Sequence, residues 1–192
     1  YYKTLRDLIP YKIDNVHINY SAQNMADGYA VGLDMKINGE FVKGIESWAS
    51  LSLMRTREDI NGDFYYNSAG ERVEPGYYPR PTDQLVNFSL FFQDYLPMNP
   101  SYKMNLSLHY GSRLPFTSPE KERYDQVFRM KPYKRVDIGF SKVLISESKE
   151  FKQGNILNVF KDMWLSFEVF NLLDINNTIS YMWIKTVGNQ SG

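Results

Sequence analysis

Any chemistry in this chain would depend on a small set of histidine, serine and acidic side chains. His17 and His109 are the only histidines, and neither has carboxylates nearby at a spacing typical of metal ligands. Ser107 and His109 would share one face of a strand, because alternate side chains point to the same side. A catalytic triad also needs a group that orients the histidine, and the sequence offers none beside this pair. We therefore predict no catalytic and no metal-binding residues.

Two acidic residues could form a carboxylate pair of the kind used in general acid–base catalysis. Asp137 and Glu168 lie at polar positions of two segments that we expect to be neighbouring strands. Strand faces that line a water-filled interior carry many charges that have no catalytic role. We therefore favour the interpretation that Asp137 and Glu168 are ordinary polar residues of such a face. The cysteine count is 0, which removes disulfides, thiol catalysis and thiolate metal sites. The sequence thus predicts no enzyme and no cofactor.

A tyrosine-rich loop, residues 64–78 within the long connection 58–83, is the best candidate for binding a ligand. Its tyrosines lie among glycines and prolines, as in an irregular loop. Tyrosine presents a large amphipathic surface and loses little side-chain entropy, which suits capture of sugars, peptides or chelates. The candidate ligand-binding residues are Tyr65, Tyr66, Tyr77, Tyr78, Arg80 and, on a neighbouring strand, His109. The alternative is a loop that only packs on its neighbours or contacts lipopolysaccharide.

The elements that position these residues are predicted to be strands, because apolar and polar residues alternate with period two. No segment has a sustained amphipathic helix pattern, and residues 5–9 form at most a short helical turn stopped by Pro10. The alternation of the last segment continues through Trp183. The seven alternating segments lie within residues 16–21, 29–41, 49–56, 86–93, 103–110, 136–141 and 163–170.

Each predicted strand has one apolar and one polar face. The two segments within residues 84–116 each run to about ten residues or more with their flanking residues, which is close to the ~9–11 that a tilted strand needs to cross a bilayer. We expect these polar residues on the concave face: Asp34, Lys36, Asn87, Asn105, His109, Asp137 and Glu168. We expect these apolar residues on the convex face: Val86, Phe88, Leu90, Met104, Leu106, Leu108, Ile138, Leu165 and Phe167. No apolar run reaches the ~18 residues of a transmembrane helix.

A strong local hairpin signal, Asn38-Gly39, conflicts with this face pattern. A two-residue turn there would put Leu51 and Leu53 on the opposite face from Leu33. The apolar face sets the register of a strand, so we place the turn within residues 42–47. Asn38-Gly39 is then predicted to be a kink or bulge within a strand.

The connections between the predicted strands alternate in length. Residues 42–47 and 97–100 are short, whereas residues 58–83 and 117–133 are long. Residues 146–162 are the exception, a medium loop on the short-turn side. The pattern predicts an antiparallel up-and-down meander with both long loops at one end, which is the polarity of an outer-membrane barrel.

The overall composition excludes one class of partner and is compatible with strands in a membrane. The formal net charge is +0 and no basic stripe is present, so we expect no nucleic-acid partner. Mean hydropathy is −0.46, which a membrane barrel also shows because only every second strand residue meets lipid. Aromatic residues make up 16% of the chain, as interface girdles would require.

Two motifs resemble those of TonB-dependent outer-membrane receptors, most similarly those of the Bacteroidetes type. Residues 164–177 resemble the family's C-terminal signature, an alternating strand followed by an Asn-Leu-Phe-Asp-like tetrad with a tyrosine a few residues on. The tetrad here is residues 171–174, with Leu173 where phenylalanine is commoner. Residues 28–35 are similar to the family's Gly-x-Glu-Leu strand, with Asp34 in place of glutamate.

The resemblance implies that residues 1–192 are the C-terminal part of a closed barrel of roughly 22 strands. About seven strands would be present, and the plug and the final strand would be absent. The implied function is TonB-energised import of a large scarce nutrient, such as a siderophore, glycan or peptide, in the cell outer membrane. The implied partners are membrane lipid and lipopolysaccharide, the TonB–ExbB–ExbD complex through the absent N-terminal part, and a surface lipoprotein as a candidate. The alternative is a stand-alone β-barrel or β-sandwich binding domain without transport.

Overall fold

The computed structural model describes residues 1–14, 17–43, 45–96, 98–118, 121–125, 128–146 and 160–184. The described residues are all-β, with 62% strand and antiparallel sheets, as the alternation predicted. A single 3-10 turn, Arg123–Asp125, interrupts the loops of the described part. The strands are β1 Tyr2–Leu8, β2 Tyr11–Asp14, β3 His17–Tyr20, β4 Ala26–Val42, β5 Ile45–Ile60, β6 Tyr65–Tyr66, β7 Arg72–Val73, β8 Tyr78–Pro79, β9 Val86–Leu96, β10 Asn99–Gly111, β11 Pro115–Phe116, β12 Phe128–Arg129, β13 Tyr133–Ile145 and β14 Met163–Val169.

The main sheet is a meander in which each long strand pairs with the next long strand along the chain. Its order is β1-β4-β5-β9-β10-β13-β14, and β8 pairs with the end of β5 beyond the part that β9 covers. The remaining short strands form three two-stranded ribbons, β2-β3, β6-β7 and β11-β12. The predicted up-and-down antiparallel order is therefore confirmed. Among the described residues the main sheet is open, with β1 and β14 at its edges.

The prediction for the first strand was wrong. The sheet begins with β1, which pairs with β4, whereas residues 17–20 belong to the separate β2-β3 ribbon. Residues 5–9 are not a helical turn, since most of them lie in β1. The register of β1 shifts between Leu5 and Leu8, and Asp7 has a φ of 53°. This irregularity breaks the period-two pattern, so the sequence conceals the strand.

The β4–β5 hairpin confirms the turn that the face pattern required. Leu33 pairs with Leu53, and Gly39 pairs with Ser47 rather than forming the turn. The register shifts between Gly39 and Val42, which places a bulge beside Asn38-Gly39, as predicted. β4 and β5 reach 17 and 16 residues, well beyond the ~5–6 of an average soluble strand.

The cross-strand register confirms the grouping of polar and apolar residues on two faces. The polar face carries all seven predicted polar residues; for example, His109 pairs with Ser89 and with Arg135. The apolar face carries the predicted apolar set, and Leu106 pairs with Phe92 and Ile138. Directly paired residues in a sheet project to the same side, so each set is continuous across the strands.

The long connections lie at one end of the sheet, here called the loop end. Antiparallel order places the β1–β4, β5–β9 and β10–β13 connections together, and the β4–β5 and β9–β10 turns at the opposite end. The two loops predicted to share an end therefore do so. Most of the medium loop, residues 147–159, lies outside the described residues. No helix in the described part of the chain is long and apolar enough to span a membrane.

The tetrad at residues 171–174 forms a turn that ends β14 at the loop end. The Asn171 side chain exchanges two hydrogen bonds with the backbone of Ile175, each 3.2 Å long. The Leu172 N–H donates to the Val136 carbonyl at 2.7 Å. These hydrogen bonds fix the shape of the chain at the point where β14 ends. The expected continuation of the strand through Trp183 is wrong, because this turn takes residues 175–184 out of the sheet.

Candidate ligand-binding cleft at the loop end

A cleft of about 360 Å³ opens at the loop end where segments distant in sequence meet. The β2-β3 ribbon forms one wall, and Tyr78 of β8 and the 3-10 turn Arg123–Asp125 contribute the facing side. Lys12 of the ribbon pairs with Glu122 at 3.0 Å, and this exposed ion pair joins the two sides. The cleft is therefore assembled by the long connections, on a platform provided by the end of the sheet.

The floor beside the cleft contains a buried cluster of three charged residues. Glu58 is 1% exposed and lies opposite Gly28 in the β4–β5 register, so no side chain crowds it from that strand. Its two carboxylate oxygens pair with different arginines, Oε2 with Arg80 Nε at 3.0 Å and Oε1 with Arg123 Nη1. One carboxylate thus holds two loops against the sheet, since Arg80 and Arg123 come from separate connections.

The Arg123 guanidinium is 2% exposed but only partly bonded. Its Nη1 also donates to the Tyr11 carbonyl at 3.0 Å. Within the described residues its Nε and Nη2 are buried and have no hydrogen-bond partner, and the same is true of Thr117 Oγ1. Arg123 and Thr117 both line the cleft and an adjoining cavity of about 40 Å³. Buried donors without acceptors are uncommon in folded proteins because each costs free energy.

A hydrogen bond between Tyr78 and Asp63 lies on the same side of the cleft. The Tyr78 hydroxyl donates to Asp63 Oδ2 at 3.2 Å. Burial raises the pKa of Asp63 above the ordinary value for aspartate, and the hydrogen bond from Tyr78 opposes part of this effect. Burial, with the nearby charge of Asp63, also raises the pKa of the Tyr78 hydroxyl. The hydroxyl therefore remains a donor throughout the physiological pH range.

Aromatic rings form much of the cleft surface. Tyr124 stacks on Tyr65 at a centroid distance of 5.6 Å and meets Tyr78 edge-on at 6.5 Å. The Arg123 guanidinium lies 5.8 Å from the ring centres of both Tyr11 and Tyr78. These contacts hold a cation against π faces in a partly desolvated place, where such attraction is strongest.

A second charged pair anchors the long 117–133 region to the sheet. Asp83 Oδ1 accepts from the Thr56 N–H at 2.9 Å, and Asp83 Oδ2 pairs with Arg129 Nη2 at 2.8 Å. Arg129 Nη1 also donates to the Asp83 carbonyl at 3.0 Å. The loop end is therefore held by specific polar contacts.

Of the six predicted ligand-binding residues, the structure brings three together. Tyr78 lines the cleft, Tyr65 stacks on its neighbour Tyr124, and Arg80 joins the buried cluster through Glu58.

The other three predicted residues lie elsewhere. Tyr66 and Tyr77 are exposed and contact Phe64 and Tyr29 instead. His109 lies on the polar face in a separate depression, with its Nδ1 3.4 Å from Ser89 Oγ. The predicted six therefore do not form a single site.

The sequence did not single out Arg123, Glu58, Asp63 or Tyr124. Their partners are far away along the chain, and no local pattern marks a buried ion pair between a strand end and a loop. The available signal was weak: residues 117–133 form an unusually long connection, and such loops tend to be functional.

The other residues with potential chemistry are engaged separately. Asp137 pairs with Arg135 at 2.8 Å and accepts from the Asn171 N–H at 2.9 Å, while Glu168 lies opposite Gly139. His17 lies in the β2-β3 ribbon, away from His109 on β10. Across the described residues, no group of three histidine or acidic side chains could hold a metal ion.

Comparison with models of protein families, with curated proteins and with solved structures found no match for this chain.

Proposed function

We propose that this chain is the C-terminal part of the barrel of a TonB-dependent outer-membrane receptor. The protein would lie in the cell outer membrane and import a large scarce nutrient, using energy delivered by the TonB–ExbB–ExbD complex. The loop end would face outward and capture the solute. Membrane lipid and lipopolysaccharide would contact the barrel, and a surface lipoprotein could cover the loop end.

The observation that carries this proposal is the exposed apolar face of a sheet built from very long strands. Buried hydrophobic residues among those described are only Ala26, Ile45, Tyr78 and Ile145. Large apolar side chains on the sheet are instead exposed, including Leu33, Phe140 and Phe167. A water-soluble domain rarely leaves such a surface open, and lipid is a medium that would cover it.

The position of the loops relative to the two faces gives further support. Glu58 shares the polar face with Ser52, and its paired residue Tyr78 projects to the same side. Arg123 reaches Glu58 from the 117–133 region, so this loop folds over the polar face. In a barrel the polar face is the interior, and loops folded over it would narrow the outer mouth and form a solute site there.

The β-sandwich alternative gains no support from the described residues. A sandwich needs a second sheet packed about 10 Å above the first. Outside the main sheet, the described strands form three ribbons of two strands each. A smaller closed barrel would require β1 to meet β14, and these strands are at opposite edges of the sheet.

Cysteine labelling in intact cells would test the proposal, because residues 1–192 contain 0 cysteines and each introduced thiol is the only one in this stretch. We would introduce Ser68→Cys in the loop end and Lys43→Cys in the β4–β5 turn, both at exposed positions. A membrane-impermeant maleimide should label Ser68→Cys in intact cells. It should label Lys43→Cys only after the outer membrane is permeabilised.

The same two variants provide the control, since both thiols should react equally in denaturant. Equal labelling of both positions in intact cells would contradict a membrane-spanning sheet. Labelling of the turn alone would reverse the proposed orientation.

A further inference from the structure

We propose that the wall formed by Arg123 and Thr117 binds the acidic group of a ligand whose body is apolar or aromatic. The inference names the substrate class of the cleft and rests on the proposal that the loop end captures a solute. The acidic group would be a carboxylate, phosphate or sulfate.

The first argument is the set of unused hydrogen-bonding atoms. Arg123 Nε and Nη2 and Thr117 Oγ1 are buried and unpartnered among the described residues. All three can donate hydrogen bonds. The edge of the guanidinium matches the two oxygens of an acidic group, and the Thr117 hydroxyl belongs to a residue that lines the same cleft. Both residues line the cleft, and because the three atoms are themselves buried, a ligand would meet them by displacing the groups that now cover them.

The second argument is the local balance of charge. Glu58 is the one carboxylate paired with both Arg80 and Arg123, so the buried cluster carries one excess positive charge. The nearby Lys12–Glu122 pair is neutral as a unit. A desolvated positive charge is stabilised most by an anion that also accepts its free hydrogen bonds.

Two acidic residues line the cleft, Glu122 and Asp63; Glu122 is paired with Lys12, so Asp63 is the one whose charge would oppose an anion. It accepts the hydroxyl hydrogen of Tyr78, so its carboxylate is engaged on that side. Asp63 lies in the β5–β9 connection, whereas Thr117 and the 3-10 turn lie in the β10–β13 connection. The hydrogen bond of the Asp63 carboxylate is to Tyr78 and not to either of them. We therefore place the acidic group of the ligand against Arg123 and Thr117, with Tyr78 separating it from Asp63.

The rest of the cleft defines the body of the ligand. Pro10, Met25 and Ile60 line it together with the rings of Tyr11, Tyr20 and Tyr124. Such walls offer carbon surface and π faces rather than many hydrogen bonds, which favours a flat apolar body. A volume of about 360 Å³ is of the size that small-molecule sites have.

The test is a charge series of one ligand shape on the purified full chain in detergent. Biphenyl-4-carboxylate, its neutral analogue biphenyl-4-methanol and its cationic analogue 4-phenylbenzylamine would be titrated by calorimetry against protein and against detergent alone. The carboxylate should bind at least about tenfold more tightly than the alcohol, since hydrogen bonds to charged groups are the strong ones. The amine should bind most weakly.

Variants of the cleft residues would show whether the preference for the carboxylate over the alcohol comes from binding in the cleft. Arg123→Gln should remove the preference for the carboxylate, and Thr117→Val should reduce it by a few-fold. Arg72→Gln is the matched control, because Arg72 is also a loop-end arginine but pairs with exposed Glu74 outside the cleft. If Arg123→Gln fails to fold, Thr117→Val and the charge series on the native chain still decide the question.

Equal binding of the carboxylate and the alcohol, or measurable binding of neither, would overturn the inference. So would a carboxylate preference that survives Arg123→Gln. These results are independent of the cysteine labelling, which tests membrane placement. A labelled outer loop with no carboxylate preference would remove the inference and leave the receptor proposal standing.

Discussion

The sheet of this molecule exposes apolar side chains, whereas its loop end buries charged ones. On the sheet, apolar side chains such as Leu165 and Phe167 are 65% and 67% exposed. At the loop end, Glu58 and Arg123 are 1% and 2% exposed. Ordinary soluble domains bury the first kind of residue and expose the second. Each region therefore needs its own explanation for its stability.

The difference shows which medium each region requires. The apolar face gains stability only when something outside the chain removes it from water, at roughly 25 cal/mol for each Å² covered. The loop end contains its own counter-charges, so its stability depends on contacts within the chain. The effect of substitutions on the sheet should accordingly depend on the lipid or detergent in which the chain is placed, whereas the effect of substitutions at the loop end should not.

The largest expected effect is at the buried ion-pair cluster. Glu58→Gln removes the one carboxylate that is paired with both Arg80 and Arg123, and breaking a buried pair from one side costs about 3–5 kcal/mol. Hydrogen exchange of the loop-end amides would measure it, because this region can open without the sheet unfolding. Glu74→Gln is the control: its pair with Arg72 is exposed and should contribute at most about 1 kcal/mol.

A double variant would show whether the cost comes from an uncompensated charge. Glu58→Gln combined with Arg123→Met should cost clearly less than the sum of the two single changes. Additive costs would mean that the two residues contribute separately.

The next largest effect is expected on the apolar face. Leu106→Arg, near the middle of β10, should cost roughly 2–4 kcal/mol for the protein in a bilayer, since the charge would face hydrocarbon. Asn105→Arg, on the polar face of the same strand, should cost much less. Unfolding in denaturant from lipid vesicles would measure both. Similar losses would show that the two faces do not meet different media.

A smaller effect is expected at the turn that joins the two regions. Asn171 has a φ of 53° and bonds twice to the Ile175 backbone. Asn171→Ala should cost about 1–3 kcal/mol, because the backbone strain remains and the hydrogen bonds are lost. Asn171→Gly should cost less, because glycine tolerates positive φ. The reverse order, in urea unfolding, would mean that the backbone angle does not limit this turn.

The sequence predicted the sheet well because its information is local. Alternation marked every long strand from β4 to β14, and the apolar face correctly outweighed the Asn38-Gly39 hairpin signal. β1 was missed because a bulge near Asp7 interrupts its alternation. Curvature of the sheet is not a property of the alternation, so the concave and convex assignments remain predictions.

The loop end could be predicted only in part because its contacts are between distant residues. Tyr65, Tyr78 and Arg80 stood out by composition and do lie at or beside the cleft. Glu58 and Arg123 look like ordinary charged residues in the sequence, and only folding brings them together. A buried ion pair between a strand and a remote loop leaves no periodic pattern and no motif in the sequence.

The smallest effect expected is a pH dependence confined to the loop end. Burial raises the pKa of Asp63, so the protonated form is favoured in the folded state. The stability that the protonated Asp63 carboxyl contributes is fully present below about pH 3.8, the ordinary pKa of aspartate. This stability is lost as the pH rises through the raised pKa of the folded state. Asp63→Asn removes this titration, so the variant should gain stability relative to the native chain as pH rises from about 3 to about 7. Hydrogen exchange of the loop-end amides across this range would measure it, with Glu46→Gln at the opposite end of the sheet as control. A variant that instead loses relative stability as pH rises would mean that the folded protein stabilises the charged form of the Asp63 carboxylate.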